Sequence, residues 1–487
     1  MEKKVSSVLN FRAIPFAERL LLLFFVLCLP LMNPWVRGDG VGYYAFARAL
    51  LIQHNLDFAP DYQHANTSFR DGRLDEYGQP RSDFRTSTGR LENHFAIGPA
   101  ILWSPFLLVA HGCVLVARVF GSSVTADGFS APYRFAMAFG TALYGFLGLL
   151  IAFRLSKKYV EERWALLATL AVWWGSSLAI YMYFNPSWSH AHSAFAVALF
   201  VWYWLKTREH RTTLQWILLG AIAGLMLNIY YANAMLLILV AVEALLFLRD
   251  AIQSGRSAEI PGLLSRYALF TIALLICLLP TLISKKIVYG SPFESGYIPI
   301  HLWHWKSPFF LQVLFSANHG LFSWTPLLFF SAIGIFLFWR KMPRIGGAVL
   351  CTVLAFYYFV ASYPDWAGIS SFGNRFFVSL TVFFVLGLAF WLQRCANLFR
   401  TPKVATASVS VVLACFVFWN LGLMFQWGSH LIPARGAVSW GAVAYNQVFV
   451  VPSQISGQLH DYFFRRKEMM RQIEQRDVQQ LHQQTDH

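Results

Sequence analysis

The sequence predicts an all-α polytopic membrane protein of about 11 transmembrane helices, with a large first extracytoplasmic loop that contains juxtamembrane helices. Three observations predict it. The 487 residues are 57% hydrophobic and only 13% charged, which is too apolar for a soluble domain. Apolar stretches recur at about 20–36, 133–153, 164–184, 190–205, 214–231, 232–248, 268–288, 321–339, 345–362, 374–393 and 405–427. Lys and Arg fall between these stretches in a regular alternation.

The alternation sets the topology. With the N-terminus inside, Met1–Arg19, 154–163, 206–211, 249–266, 340–344 and 394–403 carry about half of the chain's 39 Lys and Arg. The turns 185–189 and 230–234 carry none. A further apolar stretch, His94 to Phe120, is long enough to cross, but crossing would turn every later basic segment outward. It is therefore expected to lie along or dip into the outer leaflet, broken up by Pro99 and Pro105. The basic Met1–Arg19 leads into an apolar run without a small-residue cleavage site, which predicts an uncleaved signal anchor.

Residues 1–430 then form one integral domain, in which 37–132 is the first outer loop. That loop divides into an entry helix near 42–55, a polar stretch 57–93 and the apolar juxtamembrane segment. A second outer loop covers about 285–320, and 431–487 is an extracytoplasmic tail. The tail's Arg465-Arg466-Lys467 and Arg471 precede a Gln-rich helical stretch that reads as a solvated end, with anionic headgroups or a partner helix as the alternatives. The net charge of +15 is accounted for by topology and membrane lipid, and no nucleic-acid motif accompanies it. Cys28, Cys113, Cys277, Cys351, Cys395 and Cys415 lie in or beside apolar runs without a CxxC pair and read as small buried hydrophobes. Most of the 45 Phe, 20 Tyr and 18 Trp suit an interfacial belt, and aromatics of this kind also stack on sugars and isoprenoid chains.

Asp39 carries the most chemical information. It follows the first span in Arg37-Gly38-Asp39-Gly40, where water, headgroups and protein meet. Desolvation at such a boundary pushes a carboxyl toward the range of a general base, whereas the plain alternative is a solvated turn residue.

The pattern resembles the GT-C superfamily of polyprenyl-phosphate-sugar-dependent glycosyltransferases, near its bacterial protein-mannosyltransferase-like and aminoarabinose-transferase-like members. The resemblance is carried by the acid after the first span in Gly38-Asp39-Gly40-Val41-Gly42-Tyr43-Tyr44. It is carried also by the helical entry to a long first loop ending in an apolar segment, Ile97-Gly98-Pro99-Ala100 to Phe120. The third feature is the outer turn Asp365-Trp366-Ala367-Gly368-Ile369-Ser370-Ser371-Phe372-Gly373-Asn374-Arg375. Two departures stand: Asp39 is followed by Gly40 where many relatives have an acidic pair, and Ile97-Gly98-Pro99 stands where a Lys-Pro-Pro run often opens the juxtamembrane helix. The resemblance implies sugar transfer from a polyprenyl-phosphate donor to a glycan, lipid or protein acceptor. It implies a multi-pass protein of the bacterial inner (plasma) membrane with its active site on the extracytoplasmic face.

Such chemistry needs a base, cations for the leaving phosphate and an apolar groove for the isoprenoid. Asp39 is the expected base, with Tyr43 one turn along the same entry helix. Arg375, at the outer start of a span, is the expected phosphate ligand, with interfacial snorkelling as the alternative. Asp75 and Glu76 are the expected second carboxylates. The loop acids as a group suit either the acceptor or a divalent ion, and no cofactor is otherwise implied. Arg81 and Arg85 lie in a hydroxyl-rich basic strip that suits a phosphate, a glycan or an ordinary solvated loop. Lys286, beside Lys285, closes a span against the charge trend. His190 is a hydrogen-bonding candidate and Trp188 a sugar-stacking one, with plain structural roles as their alternative. His190 and His192 at i, i+2 do not share a helix face, so no metal pair is expected. The competing function is a transporter or lipid flippase, which would want mid-span charge; Glu243 is the clearest such residue.

Overall fold

Helices are the only extended elements in the computed structural model, which describes residues 15–485; isolated bridges Leu74–Pro80 and Arg85–Leu91 are the only β pairings among them. Most of the basic segment Met1–Arg19 lies outside the described residues.

The helices used below are α1 (Phe16–Cys28), α2 (Asp39–Arg48), α3 (Gly98–Val119), α4 (Ala131–Ser156), α5 (Glu162–Trp174), α6 (His190–Thr207) and α7 (Thr213–Ile229). They continue with α8 (Ile238–Gln253), α9 (Ile260–Tyr289), α10 (Leu327–Lys341), α11 (Pro343–Ser362), α12 (Thr381–Ala396), α13 (Pro402–Gly428), α14 (Val451–Phe464) and α15 (Arg466–Thr485). Apart from α2, α3, α14 and α15, these run alternately from one end of the bundle to the other. The contacts fix the two ends. Glu18 on α1 meets Arg154 at 2.5 Å and Lys157 at 3.3 Å after α4, and Glu243 meets Arg211 at 2.7 Å, all at one end. Asp39 and Arg375 meet at the other. Among the described residues, seven continuous helical stretches are long and apolar enough to cross a bilayer, α3 among them. The chain is therefore a polytopic all-α membrane protein. Its large exposed apolar side chains, such as Leu108, Leu275, Ile276, Val411 and Phe418, face outward as a lipid-contacting surface would.

The stretch 94–120 departs from expectation in one respect. Pro99 and Pro105 do not break it: α3 is continuous, with Pro99 in its first turn, where no backbone donor is missed, and Pro105 inside. Its register on α4 is antiparallel. Trp103 Nε1 donates to Thr141 Oγ1 at 2.9 Å, Phe106 packs on Phe139, and the His111 ring lies 2.7 Å from the Tyr133 hydroxyl. α3 thus starts just past the middle of α4 and runs toward α4's first residue at the Asp39 end. Its start is seated on the last turn of α7. A Cβ on Gly98 would lie 2.4 Å from the Asn228 carbonyl carbon and the Ile229 nitrogen, so only glycine permits this approach.

Glu243 is no isolated mid-span charge, since it accepts from Arg211 and from Trp204 Nε1 at 3.0 Å. All six cysteines are free. Cys28 is buried, but Cys113, Cys351 and Cys415 are exposed on the outer surface rather than packed inside. The tail also differs from a solvated end. α14 packs back on the bundle, with the Tyr462 hydroxyl donating to Leu31 O at 2.6 Å, and α15 then crosses the Asp39 end.

Candidate functional site

Asp39 opens α2 directly after Gly38, whose φ of 53° is a left-handed value that a side chain would strain. The turn is anchored twice: Gly38 N–H donates to Asn66 Oδ1 at 3.1 Å, and Trp188 Nε1 donates to Arg37 O at 3.1 Å. Asp39 is thereby placed at a helix N-terminus, where the backbone dipole favours an anion. Arg375 Nη1 donates to its Oδ2 at 2.7 Å, and Trp188 lies beneath the guanidinium at 4.6 Å. The other carboxylate oxygen, Oδ1, has no hydrogen-bond partner among the described residues. The Nε of Arg375 is buried and likewise without one.

Both residues line a cavity of about 540 Å³. Its charged lining is Arg37, Arg73, Arg375 and Arg435 with the carboxylates of Asp39 and Asp477; Arg375 pairs with Asp39 and Arg37 with Asp477. The remainder is largely apolar, from Trp174, Leu421, Met424 and Phe425 on the bundle to Ile455, Leu459 and Tyr462 on α14. Four guanidinium groups against two carboxylates suit an anion, and the adjoining apolar wall suits a hydrocarbon.

Other expected site residues are placed as follows. Trp188 lines this cavity. Tyr43 is buried behind it against Phe95, ring centroids 4.8 Å apart. His190 is buried against Tyr181 at 4.6 Å, and its Nδ1 has no partner. Neither Tyr43 nor His190 is among the cavity's lining residues.

Asp75, Glu76, Arg81, Arg85 and Lys286 are not brought to the cavity. Asp75 is a turn residue whose carboxylate accepts from Tyr77 N and Gln79 N. Glu76 is exposed beside it. Arg81 pairs with Asp83 at 2.8 Å in solvent, and Arg85 donates to Gly89 O. The neighbouring hydroxyls of Thr86, Ser87 and Thr88 donate to the carbonyls of Val288 and Tyr289, closing the C-terminus of α9. Lys286 caps its own helix at Gly290 O and is exposed. Its neighbour Lys285 is the buried one, donating to the carbonyls of Asn93, His94 and Ser295 and so pinning the first outer loop to the second. His94, beside it, is held down at about 4 by burial, opposed by Asp39 and reinforced by the positive charges of Lys285, Arg73 and Arg375, and is neutral at pH 7.

Arg37, Arg73, His430, Arg435 and Asp477 complete the cavity without having been singled out in the sequence. The signal for Arg37 was its adjacency to Gly38-Asp39; for Asp477 it was the i, i+4 stripe of Met469 and Ile473 leading to it along a helix. No cluster of three His, Cys, Asp or Glu groups arranged to hold a metal occurs among the described residues, and a divalent ion at Asp39 would have to share its carboxylate with Arg375.

No family model matches the chain, and no curated protein does. Among solved structures it is similar to ArnT from Cupriavidus metallidurans bound to undecaprenyl phosphate, with a TM-score of 0.45 and 14% identity over 84% of this chain and 71% of that one. The apo state of the same protein gives 0.43 and 14% over the same shares.

Proposed function

We propose that the protein transfers a sugar from a polyprenyl-phosphate-linked donor to a glycan, lipid or protein acceptor on the extracytoplasmic face, with Asp39 as general base and Arg375 as the phosphate ligand. The observation that carries this reading is the pairing at one end of the cavity. One oxygen of Asp39 is held by Arg375, the other has no partner, and Arg375 keeps a buried Nε–H without one.

The reaction then runs in one displacement. The acceptor hydroxyl or amine attacks the anomeric carbon while Asp39 Oδ1 takes its proton. The bond from that carbon to the phosphate oxygen breaks, and the electron pair leaves on the lipid phosphate. The Arg375 guanidinium meets the growing charge, with Arg37, Arg73 and Arg435 also lining the cavity. A guanidinium serves both partners because its donors are fixed in one plane and point in different directions. The apolar wall takes the isoprenoid chain. Glu243, which would have favoured transport, is paired with Arg211 and Trp204 at the opposite end.

The test is mass spectrometry of envelope glycans, lipids and proteins with and without the gene. The expected result is a missing sugar that the wild-type chain restores and Asp39→Asn does not. No sugar difference, or full restoration by Asp39→Asn, overturns the proposal.

A further inference from the structure

The apolar face of α15 lies over the cavity: Met469, Met470 and Ile473 line it from the side opposite the bundle. The helix is hinged at its start by Arg466, which donates to Met32 O at 2.6 Å, and held further on by Arg476, which donates to Ser429 O at 2.8 Å, and by two carboxylates three residues apart on one face. Asp477 pairs with Arg37 and accepts from His430 Nε2 at 2.8 Å, with Arg435 adding attraction. Glu474 accepts from Asn66 Nδ2 at 3.0 Å and from Ser68 N–H at 2.7 Å.

Both fastenings lead to Asp39. Arg37 is two residues before it, and Asn66, held by Glu474, itself accepts from Gly38 N–H. Asp477 thus supplies, from within the chain, an anion to the same cationic wall that faces the cavity. With its carboxylates released, the helix keeps beyond its hinge only a short Met-rich face and the single Arg476–Ser429 bond.

We propose that α15 is an autoinhibitory lid. In this state Asp477 occupies an anion subsite formed by Arg37, His430 and Arg435. A phosphate-bearing lipid displaces Asp477 and frees the helix. The inference rests on the reading of the cavity as a donor site and adds to it a subsite and a device that controls entry. Because Glu474 holds Asn66 and Asn66 holds Gly38, opening also releases the turn that sets Asp39.

The experiment is hydrogen–deuterium exchange of residues 466–479 in the full-length protein in detergent, with undecaprenyl phosphate or the neutral undecaprenol as probe. Undecaprenyl phosphate is expected to raise exchange in this segment and undecaprenol to leave it unchanged. Asp477→Asn is expected to raise exchange without lipid and to bind undecaprenyl phosphate about 5- to 150-fold more tightly, the usual size of a coupling between two sites. Glu474→Gln serves as a second variant, and unchanged exchange in α12 shows that the bundle is intact. Tight binding by wild type and Asp477→Asn alike, with no change in 466–479, overturns the lid and leaves the donor site standing. A response to both lipids overturns the competition for the anion subsite. Binding by neither protein overturns the donor-site reading and the lid with it. Binding by Asp477→Asn alone supports the lid in its strongest form.

Discussion

Replacing Asp39 by Asn separates its ion pair with Arg375 from the general-base role proposed for it. The substitution keeps the size of the side chain and an oxygen for Arg375, but removes the charge and the ability to take a proton. Breaking a fully buried pair costs about 3–5 kcal/mol. Here Asp39 is 33% exposed, and Trp188 still lies 4.6 Å beneath the guanidinium. The loss of stability is therefore expected to be only about 1–2 kcal/mol. Loss of general-base help is larger, roughly two to four orders of magnitude in turnover. At about 1.4 kcal/mol per decade, that is about 3–5 kcal/mol of barrier, which exceeds the ion-pair effect. The assay is sugar transfer in proteoliposomes at matched protein level, with binding of polyprenyl phosphate measured separately. A fall of about ten-fold, matched by weaker lipid binding, would equal the ion-pair term alone and would refute Asp39 as the base. Near-normal turnover would refute any catalytic part for it.

Gly98→Ala forces a Cβ against the α7 backbone at 2.4 Å and is expected to destabilise by about 1–3 kcal/mol, read as a lower thermal midpoint in detergent. His94 is depressed to about 4, so its neutral form supports the fold fully above pH 6.5, and that support is lost as pH falls from 6.5 toward 4. His94→Gln is expected to flatten this acid limb of the stability curve, by up to about 2 kcal/mol since the side chain is only half-buried by area. Thr125→Cys and Arg208→Cys are expected to label from opposite sides of the membrane, Thr125→Cys from the side of Asp39; labelling of both from one side would contradict the register of α3 on α4.

The helical class and the ends of most spans were readable because apolar length and Lys/Arg placement act on the chain one segment at a time. Pro99 misled for a related reason: a first-turn proline costs a helix nothing, and only knowledge of where the helix starts reveals that, while Pro105 is carried inside the continuous helix. Pairing was not readable. Asp39 and Arg375 each stood out as charges at span boundaries, but they are 336 residues apart, and nothing local says that they touch. Asp75, Arg81 and Arg85 looked equally suited to chemistry because composition reports which groups a loop carries, not which way they point. Asp75 in fact serves its own turn. The tail read as solvated because its polar residues outnumber its apolar ones. Its Met469-Met470-Ile473 stripe is short, and it acquires meaning only against a cavity that other segments build.

The separation between the partners has a consequence for biosynthesis. The walls around Asp39 come from the first loop, from the turn before α6, from the segment before α12, from the end of α13 and finally from α14 and α15. A ribosome delivers these in order, so Asp39 reaches the membrane long before Arg375 and longer still before Asp477, which lies 440 positions beyond Arg37. During that interval the first loop holds a carboxylate with no counter-charge and a guanidinium with no acid. Any chain stopped before Arg375 lacks the partner of Asp39, and one stopped after α13 has a cavity without α15 across it. The closed enclosure therefore appears last, when the C-terminal helix docks and sets Asp477 against Arg37 and His430.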